Sequence, residues 1–260
     1  MPRAEGLHGQ VTVTIILRRA TLGIAFLTLI NFSPAARAAD DEGWDWMVAP
    51  YLWAASIGTD VNADAPPAGT DSDFSDIIDK IDGAFMVRLE GQGDHFGVFA
   101  DVLFLSLADD SDRALSHTES DLDAWLLDAA GVWNPGDDRS RGLGLFAGLR
   151  YVDVDLSVRV DPINALFDTA TIGTNKSYSD LMIGARYTWT LSERWRLTLR
   201  GDGSLGDTEG TWSASAIAQY RTGNGGWLFG YRHLSVEIET SDSNTEITLS
   251  GPAIGYGFSF

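Results

Sequence analysis

The chain of 260 residues contains no cysteine. That removes disulfides, thiolate metal sites and cysteine nucleophiles. Histidine is scarce, and the three beyond the N-terminal region, His95, His117 and His233, have no metal-ligand spacing among themselves. No acidic run fits a calcium loop, so neither a metal nor a cofactor is expected. No apolar run reaches the roughly 20 residues that a helix needs to cross a hydrocarbon core. With a mean hydropathy of −0.05, a membrane-embedded helical bundle is excluded, but a barrel with polar inward residues is not. Basic residues are few: 18 Lys and Arg against 37 Asp and Glu, a formal charge of −19. A chain without a basic face does not grip phosphate backbones, which excludes a nucleic-acid partner.

Residues 1–38 have the parts of a cleaved secretory signal. Arg18 and Arg19 precede a 13-residue apolar core, Ala20 to Phe32; Pro34 breaks it, and Ala36-Arg37-Ala38 has the small-x-small form of a cleavage site. The apolar core is short for a membrane anchor. Removing Arg3, Arg18, Arg19 and Arg37 with Glu5 takes the formal charge from −19 to −22. The mature domain is then 39–260.

Beyond Ala39, segments of about ten residues alternate apolar and polar, separated by Gly, Asp, Asn and Ser. Ten fit: 44–55, 84–93, 96–107, 120–133, 143–156, 178–191, 195–206, 210–222, 226–238 and 245–260. In one, Trp195, Leu197 and Leu199 alternate with Arg196, Thr198 and Arg200; in another, Ile254, Tyr256, Phe258 and Phe260 alternate with Gly255, Gly257 and Ser259. Tryptophans gather at segment ends (Trp44, Trp46, Trp53, Trp125, Trp133, Trp195, Trp212 and Trp227), as amphipathic rings do at lipid–water boundaries. Connections alternate in length: short near 93–95, 135–138, 191–194 and 223–226, long at 56–83, 108–119 and 157–177. The reading is an all-β fold: a single antiparallel up-and-down transmembrane barrel in the outer membrane of a Gram-negative cell, with ten strands and eight as the alternative count.

Several stretches resemble a family of poorly characterised Gram-negative outer-membrane proteins: Ala49-Pro50-Tyr51-Leu52-Trp53, Phe74-Ser75-Asp76-Ile77-Ile78-Asp79, the Gly-x-Arg-Tyr strands, and Ser250-Gly251-Pro252-Ala253-Ile254-Gly255. The resemblance covers most of the mature chain and implies the barrel and its location, but no activity. The terminal Phe260 resembles the signal read by the barrel-assembly machinery.

The motif recurs as Gly148-Leu149-Arg150-Tyr151 and Gly184-Ala185-Arg186-Tyr187, and in altered form as Gly230-Tyr231-Arg232-His233. Period-two geometry puts each glycine and arginine on one face, where the glycine is expected to leave room for the arginine. The expected lumen residues are Arg88, Glu90, Asp101, Asp128, Arg150, Arg186, Arg196, Arg200, Asp202 and Arg232. Opposite charges crowded in so narrow a bore should pair. They either fill the lumen of a structural barrel or line a narrow porin-like path for small polar solutes.

In the first long connection, Phe74, Ile77, Ile78 and Ile81 share one face of a short helix with Ser72 or Asp73 as N-cap; it is read as a turn on the barrel rim, or else as a lid. The acidic connections carry Asp60, Asp71, Asp76, Asp109, Asp110 and Glu119 among others. They are read as solvated loops, with divalent cations held beside lipopolysaccharide phosphates as the alternative. Outer-membrane lipid and lipopolysaccharide are the expected surroundings.

One enzymatic reading competes. Arg232-His233-Leu234-Ser235 resembles the Arg-His-x-Ser strand of outer-membrane lipid A deacylases, which implies a serine esterase acting on membrane lipid. With a hairpin turn near Ser241-Asp242, Ser235 lies opposite Thr248, and Glu246 sits one pair higher, on the outer face, to orient His233. Against it, the family's motif continues Ser-Asn-Ala where this chain has Ser235-Val236-Glu237.

Overall fold

In the computed structural model, the described residues are 43–260 without 64–67, 114–115, 137, 139–140, 163–168 and 241–242. The predicted signal and its cleavage site lie outside them. Twelve strands form one sheet that closes on itself. In chain order they are β1 (Asp45–Trp53), β2 (Ser56–Ala63), β3 (Ala68–Ser72), β4 (Ile81–Gln92), β5 (Phe96–Arg113), β6 (Ser116–Trp133), β7 (Gly142–Pro162), β8 (Ala170–Thr190), β9 (Trp195–Gly206), β10 (Gly210–Thr222), β11 (Gly225–Thr240) and β12 (Ser243–Ser259).

The barrel has ten staves, β1 and β4 to β12, each antiparallel to the next, with β12 closing onto β1. The count of ten therefore holds, and eight is ruled out. The closing seam ends in a reciprocal pair, Trp46 N–H to Phe260 C=O and Phe260 N–H to Trp46 C=O, both 3.0 Å. Strand β2 continues β1 in the same register along β12, from Ser56↔Ser250 to Ala63↔Ser243, and folds back as β3. A short helix, α1 (Phe74–Ile77), and a 3₁₀ turn (Ile78–Lys80) then lead into β4. Ile77 is buried, and Asp73 occupies the N-cap position without a side-chain cap bond. Among the described residues no helix is long and apolar enough to cross a membrane.

The predicted long connections are the main correction. Residues 56–63, 68–72, 108–113, 116–119, 157–162 and 170–177 are strand, not loop. The reason is a change of phase. In the half of the barrel near the short turns, the outward row is apolar: Leu181, for instance, is 71% exposed while its neighbour Met182 is buried. In the other half the rows exchange character. Along β7, Val152 and Val154 turn inward while Asp153 and Asp155 turn outward; along β11, Leu234 and Val236 turn inward while Glu237 turns outward. Alternation continues, but with the apolar residues facing the interior, as in a water-soluble barrel. The inward apolar residues Trp53, Met86, Leu103, Leu126, Leu234 and Val236 pack into one cluster there.

Two features break the symmetry of the wall. Strand β1 pairs with β4 only as far as Pro50↔Val87, after which β2 turns to β3 and the upper part of β4 has β5 alone. Across this gap the Trp53 N–H points at the Met86 sulfur, 3.2 Å away. On the far side, β8 pairs with β9 only from Asp180 to Thr190, so residues 170–179 are paired with β7 alone.

The glycines of the repeat have a different role from the one expected. A Cβ on Gly148 would meet the Ala129 carbonyl oxygen at 2.0 Å, and one on Gly184 would meet the Phe146 ring at 2.4 Å and the Gly201 carbonyl oxygen at 2.6 Å. They admit a neighbouring backbone and a ring, which is what a tightly curved wall requires; they do not make room for their own arginines.

Candidate functional site

Arg88, Glu90, Asp101, Asp128, Arg150, Arg186, Arg196, Arg200, Asp202 and Arg232 share the inward face of their strands, because each pairs in register with another inward residue. The structure joins nine of them in a band across the lumen, in the half whose outside is apolar. Arg150 Nε donates to Asp128 Oδ1 at 2.8 Å, and its Nη2 donates to Asp128 Oδ2 and Asp202 Oδ2, both at 2.9 Å. The side chains of Arg150, Asp128 and Asp202 are 0% exposed. Arg200 adds bonds to Asp202 at 2.8 Å and Asp128 at 3.4 Å. From across the barrel, Arg232 Nη2 lies 3.9 Å from Asp128.

A second group begins at Arg88, which bonds Glu90 and Asp101. Glu90 takes Arg186 from the opposite wall, and Arg186 also donates to Gln92 at 3.0 Å. Rings fill the space between the charges. Phe99 lies under both Arg88 and Arg200, Phe146 under Arg200, and Trp53 under Arg232, all between 4.4 and 4.9 Å from guanidinium carbon to ring centroid. Ring faces and opposite charges take up most of these groups, while Arg150 Nη1 is buried with no acceptor. Arg196 stands apart, with its Nε buried and no hydrogen-bond partner.

Sequence reasoning missed several members. Trp53 was expected in an outer girdle; it is 4% exposed and lies inside, because its row on β1 is that of Ala49 and Tyr51. The Tyr51 hydroxyl donates to Asp101 at 2.6 Å and accepts from Arg232 at 3.3 Å. Its parity with Ala49 was the available signal. Buried Asp180 was also missed: it accepts the Thr208 N–H at 3.1 Å and the hydroxyls of Ser204, Thr208 and Thr211. It latches the turn between β9 and β10. That contact reaches from β8 to the turn after the next strand and leaves no local pattern.

The proposed esterase residues lie where expected on the strands: Ser235 opposite Thr248, Glu246 opposite Glu237, with the hairpin closing at Thr240↔Ser243. They are not wired as a relay. Ser235, 0% exposed, donates to Glu246 at 2.7 Å. His233 stands opposite Ser250 rather than Glu246, and its Nδ1 lies 2.7 Å from Ser250 Oγ while its ring meets the Trp212 ring in a tilted contact at 4.3 Å. Glu246 therefore does not orient His233, and Ser235 is bonded to the carboxylate and not to the imidazole.

At the rim, Arg159 Nε is 2.8 Å from Asp161, and this guanidinium holds the Asp161 carboxyl below its usual range. Asp110, His117 and Glu119 bring their ligand atoms within 4.8 Å of one another on the same outer surface; His117 Nε2 is 3.6 Å from Glu119.

No protein-family profile matches the chain, and no curated protein sequence does. Solved structures do. The outer membrane protease OmpT of Escherichia coli superposes with a TM-score of 0.56 at 10% identity, covering 86% of this chain and 99% of that one. Ail, the attachment invasion locus protein of Yersinia pestis, gives 0.35 at 10% identity over 84% and 99%, and the translocator domain of the Neisseria meningitidis autotransporter NalP gives 0.36 at 11% over 86% and 90%. At this identity, the likeness to OmpT establishes the fold.

Proposed function

We propose that this chain is an outer-membrane barrel whose bore is shut by an ionic plug, so that it serves as a structural, non-conducting wall protein. One observation carries the reading: Arg150, with a side chain 0% exposed, is clamped between Asp128 and Asp202 in the middle of the lumen. A porin-like path needs wetted charges, whereas these are dry. The membrane location is supported by the exposed apolar row that includes Leu149, Leu181, Ile183, Phe229, Ile254 and Phe258. An apolar surface so extensive is stable only against hydrocarbon. Lipid and lipopolysaccharide are then the surroundings, and Phe260 on the closing strand is the element offered to the assembly machinery.

The test is conductance of the refolded barrel in a planar bilayer. Silence from a heat-modifiable, folded preparation is expected. Charge-removing replacements across the plug (Arg150→Ala with Asp128→Ala and Asp202→Ala) are expected to introduce discrete steps. Steps from the unaltered protein would overturn the reading in favour of a narrow channel.

A further inference from the structure

The gap between β1 and β4 has an outer and an inner side. Outside, the apolar wall is hollowed into a groove of about 430 Å³, with Pro50, Leu52, Ala84, Phe85, Ile254 and Tyr256 among its walls. Met86 and Tyr51 also line this groove. Inside, Met86 belongs to the buried apolar cluster and Tyr51 packs against it. Two side chains therefore separate the outer surface from the interior, where the pairing of β1 with β4 ends.

Behind these two side chains lies Arg232, which bonds the Tyr51 hydroxyl and stacks on Trp53. Arg232 is buried, yet the one carboxylate it pairs with, Asp128, is 3.9 Å away and already takes Arg150 and Arg200 at shorter range. Its hydrogen bond goes instead to the neutral Tyr51 hydroxyl. Nearby, Arg150 Nη1 is buried with no acceptor. A buried guanidinium gains most from a carboxylate that reaches it in bonding geometry. The groove is apolar, and behind it the Tyr51 hydroxyl bridges Arg232 and Asp101, the latter already paired with Arg88; the passage between them closes on a flexible thioether, which adapts to a changing neighbour at small cost.

We propose that the β1–β4 gap is a lateral binding site for a free long-chain fatty acid. The acyl chain lies in the outer groove, and the carboxylate passes between Tyr51 and Met86 to Arg232. The height of the site fits the molecule. Arg232 is one residue below His233, where the outer surface of β11 turns from apolar to polar, so the carboxylate sits at the edge of the apolar belt with its chain inside it. The proposal does not depend on whether the bore conducts.

The experiment uses the folded barrel in a non-ionic detergent with 11-dansylaminoundecanoic acid as probe, read by energy transfer from tryptophan; Trp227 lines the groove. Palmitate and hexadecanol then compete. Saturable probe binding is expected, with palmitate displacing it at least tenfold more tightly than hexadecanol. Arg232→Met should abolish that preference and Arg232→Lys should retain most of it. Met86→Trp, which fills the passage, should weaken palmitate about tenfold. Heat modifiability checks the folding of each variant. If Arg232→Met does not fold, the palmitate-to-hexadecanol ratio in the unaltered protein and Met86→Trp decide the matter. Absence of saturable binding, equal affinity for acid and alcohol, or palmitate affinity indifferent to Met86→Trp would each overturn the proposal.

Discussion

Asp128 and Arg150 face each other across β6 and β7 and meet in a two-bond pair with both side chains wholly buried. Removing one member leaves the other charge stranded in a dry interior, a loss of about 3–5 kcal/mol. Arg150→Met should therefore destabilise the barrel strongly, and so should Asp128→Leu. The double variant should lose markedly less than the sum, because neither charge then remains unpaired. Urea unfolding followed by tryptophan fluorescence measures all three; strictly additive losses would show that the pair is not coupled.

Asp180 ties one turn down with a single carboxylate. Its replacement by alanine deprives the Thr208 N–H and up to three hydroxyls of their acceptor. An expected loss of about 1–3 kcal/mol follows, concentrated locally. Hydrogen exchange at the Thr208 amide should rise well before exchange in β5 or β6. Unchanged protection at Thr208 would show that the latch is dispensable.

Gly184 and Gly131 make a matched pair for testing curvature. A Cβ at Gly184 would fall 2.4 Å from the Phe146 ring and 2.6 Å from the Gly201 carbonyl oxygen, whereas one at Gly131 meets nothing within 4 Å. Gly184→Ala is expected to cost about 1–3 kcal/mol through overpacking, and Gly131→Ala to be tolerated. The melting temperature of each refolded variant is the measurement; equal tolerance would show that the wall relaxes around the added methyl.

For the outer-face histidine the expected outcome is an absence of change. Ser235 is bonded to Glu246, and His233 to Ser250, so the expected Ser235–His233–Glu246 chain is not formed. Incubation of the barrel with lipopolysaccharide should release no fatty acid, with or without Ser235→Ala. Release that Ser235→Ala abolishes would restore the esterase reading.

The sequence was legible wherever the apolar row faced outward. The bounds expected for β9 and β10, 195–206 and 210–222, agree with the structure, and the arginine rows were visible from parity alone. Legibility failed where the rows exchange character. Asp110 and Glu119 read as solvated connections, because in a membrane stave the outward positions should be apolar. The ladder of neighbouring backbones carries those segments on as strand all the same. The contacts of the plug were not legible either. Period-two spacing gives a side chain its face but not its partner across the bore, and Arg186 with Glu90, or Arg232 with Tyr51, are juxtapositions made by closure.

In the outer membrane proposed for this barrel, the exchange of rows would fix how deep the molecule sits. On β7, Leu149 and Tyr151 are the last outward apolar side chains and Asp153 the first charged one; on β11 the same step runs from Phe229 and Tyr231 to Glu237 through His233 and Ser235. The barrel carries a waterline, marked on two staves distant in sequence. Sinking by one residue pair, roughly 7 Å along a strand, would submerge carboxylates in hydrocarbon, and rising by as much would lift leucines and aromatic rings into water. The two penalties oppose each other on both staves, so in a membrane the chain itself would set the level at which it floats.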